Sequence, residues 1–108
     1  MKTFVGFQIQ SGDIVNKDTG EVTKWSNCFL RTTSDEGLLV GEYGQKIGEV
    51  KIKTEFLAST IGVVGFDYSP AKITEVIQSL QKLFNKKIDF ILTVYRGEYI
   101  VSGIKVIN

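Results

Sequence analysis

The first two thirds of the chain alternate apolar and polar residues with the two-residue period of β-strands. From Thr3 to Gln10, Val5, Phe7 and Ile9 fall on one side, and Phe4, Gly6, Gln8 and Gln10 on the other. This predicts a half-buried first strand. The following Asn16-Lys17-Asp18-Thr19-Gly20 is a turn, with Asp and Gly supplying the backbone freedom of a tight reversal. Ile14 and Val15 before it, and Val22 and Thr23 after it, make its arms a projecting β-ribbon. A second strand is expected over Thr23 to Thr33. One parity carries Trp25, Asn27, Phe29 and Arg31; the other carries Lys24, Ser26, Cys28, Leu30 and Thr32. Apolar residues on both parities suit a strand that covers a core on one side and is used on the other. After a turn at Ser34-Asp35-Glu36-Gly37, Leu38 to Phe56 holds further strand material. It is best defined at Gly48 to Lys53, where Val50 and Ile52 alternate with Glu49, Lys51 and Lys53.

The period then changes. Ser69 is placed as an N-cap and Pro70 as the first helical residue, where its missing N–H costs nothing. Ile73, Val76, Ile77, Leu80, Leu83 and Phe84 recur at helical spacing and form one apolar stripe. Lys86 and Lys87 complement the dipole at the far end, so the pattern predicts a helix over about 70–87. A hairpin closes the chain: Ile88 to Tyr95 and Tyr99 to Ile107, joined across Arg96-Gly97-Glu98. The reading is one domain, residues 1–108, mainly β with one helix. Three strands, a helix and a two-stranded hairpin is the element order of the OB-fold, a five-stranded, partly open Greek-key barrel. Gly6, Gly48 and Gly103 fall inside the expected strands, as strong strand curvature favours.

Composition narrows the chemistry. The 108 residues include no His, so a Ser-His-Asp or Cys-His nucleophile pair and His-ligated zinc are excluded. Only carboxylate, Lys, Tyr or Ser chemistry remains, and no spacing converges two such groups; an enzyme is not expected, nor a cofactor or metal. One Cys cannot form an internal disulfide, which points to a reducing, cytoplasmic setting. Cys28 reads as a small buried hydrophobe. Neither a signal-like apolar core nor a stretch near the roughly 20 residues of a membrane span is seen. Gly41-Glu42-Tyr43-Gly44 lacks the ending of a phosphate-binding loop, and Asp13, Asp18 and Glu21 lack calcium-loop spacing. With 13 Lys+Arg against 12 Asp+Glu, uniformly basic nucleic-acid binding is excluded. Binding that relies on stacking is not: base–aromatic stacking contributes about 1–3 kcal/mol per base.

The stretch Thr19-Gly20-Glu21-Val22-Thr23-Lys24-Trp25-Ser26-Asn27-Cys28-Phe29 resembles the second-strand region of small single-stranded-DNA-binding proteins of phages and plasmids. There a Gly-containing ribbon leads into a strand with exposed aromatic and polar residues. The resemblance implies an OB-fold, sequence-tolerant binding of single-stranded DNA (RNA being the other possibility), and a homodimer. It also implies a part in replication or recombination of a phage or mobile element. Trp25 and Phe29 would then stack on bases, interleaved with Asn27 and Arg31; the alternative is that both rings are core. Tyr95 and Arg96 at the hairpin turn, Tyr43 in the Gly-flanked loop, and Lys51 and Lys53 on one strand face complete the candidate set. Against these stand a cross-strand Tyr95–Tyr99 pair that only stabilises the hairpin, and a solvated lysine face. A protein-interaction or assembly module on the same small barrel is the competing function, because Trp, Tyr and Arg also populate protein interfaces.

Overall fold

The computed structural model describes residues 2–34, 36 and 38–107. The turn expected at Ser34 to Gly37 therefore lies partly outside the described residues, at Asp35 and Gly37. Five antiparallel strands form one sheet: β1 (Lys2–Val15), β2 (Val22–Ser34), β3 (Lys46–Lys53), β4 (Lys87–Tyr95) and β5 (Glu98–Val106). Their order is β3-β2-β1-β4-β5. Two helices, α1 (Thr54–Thr60) and α2 (Pro70–Gln81), lie between β3 and β4. The outer strands β3 and β5 curl toward each other, but no ladder joins them among the described residues, so the sheet is not closed.

Phe4, Cys28, Leu30, Ile52, Leu57, Val76, Leu80, Ile88 and Ile104 form the core, drawn from every strand and both helices. A bulge at Val5 decides which β1 residues reach it. Pairing shifts between Phe4↔Thr32 and Gly6↔Arg31, and Val5 is turned outward. Phe4 is thereby buried on the same side as Phe7 and Ile9. Simple alternation put Phe4 opposite Phe7; the extra residue corrects that assignment.

Both helices depart from expectation. The segment Thr54–Thr60 reads as a continuation of strand because seven residues are too few to display helical periodicity. Thr54, fully buried at its start, shares hydrogen bonds with Ser26 Oγ at 2.7 Å and Cys28 Sγ at 3.3 Å, and Ser11 Oγ donates to Ser26 Oγ at 2.8 Å. That hydroxyl chain fastens α1 to β2. On the other side α1 approaches β5 where Gly103 has no side chain; a Cβ there would lie 2.3 Å from Thr60 Cγ2. α2 begins as expected, with Ser69 Oγ accepting from the Lys72 N–H at 3.2 Å and Pro70 at its first position. It ends at Gln81 rather than near Lys87. Asn85 adopts a left-handed backbone (φ 66°) and its N–H donates to Phe4 O at 2.7 Å. Phe84 is thereby swung onto the Phe4 and Phe7 rings, at 5.5 and 5.8 Å between centroids. The apolar stripe continues past Gln81, but these tertiary contacts end the helix.

Only β1 and β2 extend past the last three-strand row, Gln10–Asn27–Lys53, and they form the expected ribbon up to Val15↔Val22. Asn16 Oδ1 accepts from Asp18 N–H at 2.9 Å, and Gly20 takes a positive φ of 71° to complete the reversal. This projection accounts for a radius of gyration of 15.9 Å, against about 13 Å for a compact chain of this length.

Candidate nucleic-acid interface

The inner parity of β2 is Ser26, Cys28, Leu30 and Thr32, all buried. Trp25, Asn27, Phe29 and Arg31 consequently occupy the outer face, and the two flanking ladders fix their neighbours. Across the sheet the rows are Gly12–Trp25, Gln10–Asn27–Lys53, Gln8–Phe29–Lys51 and Gly6–Arg31–Glu49. The rows interleave rings, amides and cations. In these four rows Arg31, Lys51 and Lys53 meet a single carboxylate, Glu49, so a near-neutral chain carries a locally cationic face. Arg31 is not idle: its Nε donates to Glu49 Oε2 at 3.1 Å, in a pair about half exposed on both sides. Such a solvated pair contributes at most about 1 kcal/mol.

Trp25 is neither core nor free. Its indole lies flat on Gly12, where a Cβ would come within 2.8 Å of the ring. A glycine under an aromatic ring is what lets this half-buried side chain lie against the ribbon. An open crevice of about 300 Å³ beside it is lined by Lys24, Tyr68 and Pro70 among others. Tyr68 donates its hydroxyl to Glu55 Oε2 at 2.9 Å. Burial first, and this carboxylate second, push the Tyr68 phenol above its usual value. Phe29 is likewise half-buried on the outer face, so neither ring belongs to the buried core.

The hairpin between β4 and β5 brings the next group. Arg96 and Gly97 both have positive φ, 51° and 79°, which makes a two-residue turn of the type that matches strand twist. Tyr95 pairs with Glu98, whereas Tyr99 pairs with Val94 and points to the opposite face. The cross-strand tyrosine pair does not form. Tyr95 instead turns toward β3: Lys53 Nζ sits 5.5 Å from its ring centroid and 5.5 Å from that of Phe56. The Arg96 guanidinium covers the Tyr95 ring at 5.2 Å. Phe56 was not legible as part of the site, because its place depends on α1. Beside it, a pocket of about 270 Å³ opens between α1 and the hairpin.

The structure thus gathers Trp25, Asn27, Phe29, Arg31, Lys51, Lys53, Tyr95 and Arg96 on or beside one face. Tyr43 is different. It is 93% exposed in the connection between β2 and β3, beyond the Ser34↔Lys46 end of the ladder, away from Lys53 and Tyr95. Among the described residues no cluster of His, Cys, Asp or Glu is arranged to hold a metal ion. No described helix is long and apolar enough to cross a membrane. No protein-family model matches the chain, and no curated protein or solved structure was found to be similar to it.

Proposed function

We propose that the protein binds single-stranded DNA with little sequence preference, on an OB-fold-like barrel, as an accessory to phage or mobile-element replication or recombination. The observation that carries this reading is the outer face of β1–β3, where two half-buried rings alternate with amides and cations and lead to the Lys53–Phe56–Tyr95–Arg96 group. Stacking platforms combined with a cationic track are what sequence-tolerant single-strand binding requires. The strand order, the approach of β3 to β5 and the helices between β3 and β4 support the barrel assignment. A duplex hides its bases and offers the rings nothing. Fluorescence anisotropy should therefore report binding of labelled oligo(dT) and much weaker binding of a duplex of equal length. Equal affinity for both would reject stacking as the basis, and binding of neither would reject the function.

A specific observation also favours a protein partner. Leu92, Val94 and Tyr99 share the outward face of the hairpin, and Leu92 and Tyr99 are 62% and 78% exposed. Among the described residues β4 is paired on its β1 side only at Lys87 and Ile88, which leaves the edge from Phe90 to Tyr95 open. An open, apolar edge invites strand addition. A second copy of the chain fits that surface and the homodimer expected from the sequence; an assembly module using the same edge is the alternative function. Sedimentation of the protein with and without oligo(dT) separates the two, since an assembly module associates without nucleic acid and leaves the oligonucleotide free.

A further inference from the structure

The crevice at the root of the ribbon brings together two rings from separate parts of the fold. Trp25 reaches it from β2, lying over Gly12, and Tyr68 reaches it from the segment between α1 and α2. The Tyr68 side chain is held at two points. Its hydroxyl donates to Glu55 Oε2 at 2.9 Å, and its ring packs T-shaped with Phe66 at 4.8 Å between centroids. Its backbone is left-handed, with φ 63°, where Asn or Gly rests at lower energy, so the turn itself does not call for tyrosine. Trp25 keeps a free donor. Among the described residues nothing accepts from its indole N–H, and no buried side-chain nitrogen lacks a partner, so that N–H opens to solvent. Asp13 and Lys24, opposite each other in the β1–β2 ladder, also line the crevice and balance its charge.

We infer that this crevice receives one base of the bound strand against the Trp25 and Tyr68 rings, which makes Tyr68 a binding residue. The inference rests on the single-strand reading above and extends its surface across β1 to a residue outside the sheet. The volume, about 300 Å³, admits a base, and the balanced charge suits an uncharged ring better than a phosphate. A side chain already held in place loses little freedom when a ligand stacks on it. The indole N–H donates to a carbonyl or ring nitrogen, and every base carries such an acceptor, so the contact is sequence-tolerant. The strand then runs from the Lys53–Tyr95 group, over Phe29 and Asn27, to the crevice beside Gly12.

Affinity for labelled oligo(dT) at low salt tests this. Tyr68→Asn removes the ring and suits the left-handed backbone; it should weaken binding at least about fivefold, the loss of one base stack. Tyr68→Phe keeps the ring and should lose much less. Two rings that hold one base are not independent, so Trp25→Ala combined with Tyr68→Asn should lose less than the product of the two single losses. Circular dichroism confirms that each variant is folded, and Tyr68→Leu replaces Tyr68→Asn if that variant is not. Unchanged affinity in Tyr68→Asn, an equal loss in Tyr68→Phe, or single losses that multiply in the double variant overturns the crevice inference and leaves the single-strand reading standing. No binding of oligo(dT) by the wild-type protein overturns both.

Discussion

Arg96 holds a left-handed backbone at a turn position that Asn or Gly fills at lower energy. The turn conformation itself does not call for arginine, and its guanidinium covers the exposed Tyr95 ring. Arg96→Asn is expected to raise the thermal midpoint, by the equivalent of about 1 kcal/mol, while weakening oligo(dT) binding severalfold. Loss of stability together with loss of binding would assign Arg96 a structural role. Glu49 has the converse effect, since it occupies Arg31 at 3.1 Å. Glu49→Gln should tighten single-strand binding, most visibly at low salt, and unchanged affinity would remove Arg31 from the contact surface. Cys28 belongs to the interior: burial pushes its thiol up, and the Thr54 hydrogen bond offsets part of that. The unfolded chain therefore loses this proton first. The corresponding stability is complete below the ordinary thiol pKa of about 8.5 and declines as pH rises toward the raised folded value. In Cys28→Ala, the fall in urea midpoint between about pH 8 and about pH 10 should be shallower. An unchanged slope would mean that other groups set the alkaline limit.

At the scale of elements, α1 is held by its approach to β5. Gly103→Ala places a Cβ 2.3 Å from Thr60 Cγ2 and should cost about 1–3 kcal/mol of unfolding free energy. Adding Thr60→Ser removes that methyl but keeps the hydroxyl that accepts from the Ile104 N–H, so part of the loss should return. If the double variant is no more stable than the single one, the close approach is not the cause. The same contact shows why sequence patterning stops short here. The ribbon, the outer parity of β2, the Ser69-Pro70 helix start and the hairpin arms are local in origin, set by alternation, capping and turn residues, and all were legible. The bulge at Val5, the helical turn of 54–60 and the end of α2 are set by residues distant in sequence: Phe4 with Asn85 and Lys86, Thr54 with Ser26, Thr60 with Gly103. The candidate site divides likewise. The β2 and β3 residues follow from strand parity, but Phe56 joins them only through α1, and Tyr43 is left apart by the long connection that carries it.

For the molecule as a whole, net charge is a poor guide to the surface that matters. The total of +1 averages a face on which Arg31, Lys51 and Lys53 confront one carboxylate with acids carried elsewhere, on the ribbon, in turns and on the helices. On the proposed reading, phosphate contacts from Lys51, Lys53 and Arg96, with Arg31 held by Glu49, would correspond to a salt slope of about −2 for a single strand. A much steeper slope in affinity against salt would mean electrostatic binding with the rings as bystanders. The central claim is that aromatic side chains on the outer face of β2 meet the bases, and Trp25 is the one tryptophan in the sequence. Its fluorescence, followed during oligo(dT) titration at low salt and micromolar protein, reads that contact directly. Saturable quenching that is abolished in Phe29→Ala/Tyr95→Ala is the predicted result; emission unchanged at saturating oligonucleotide would contradict it.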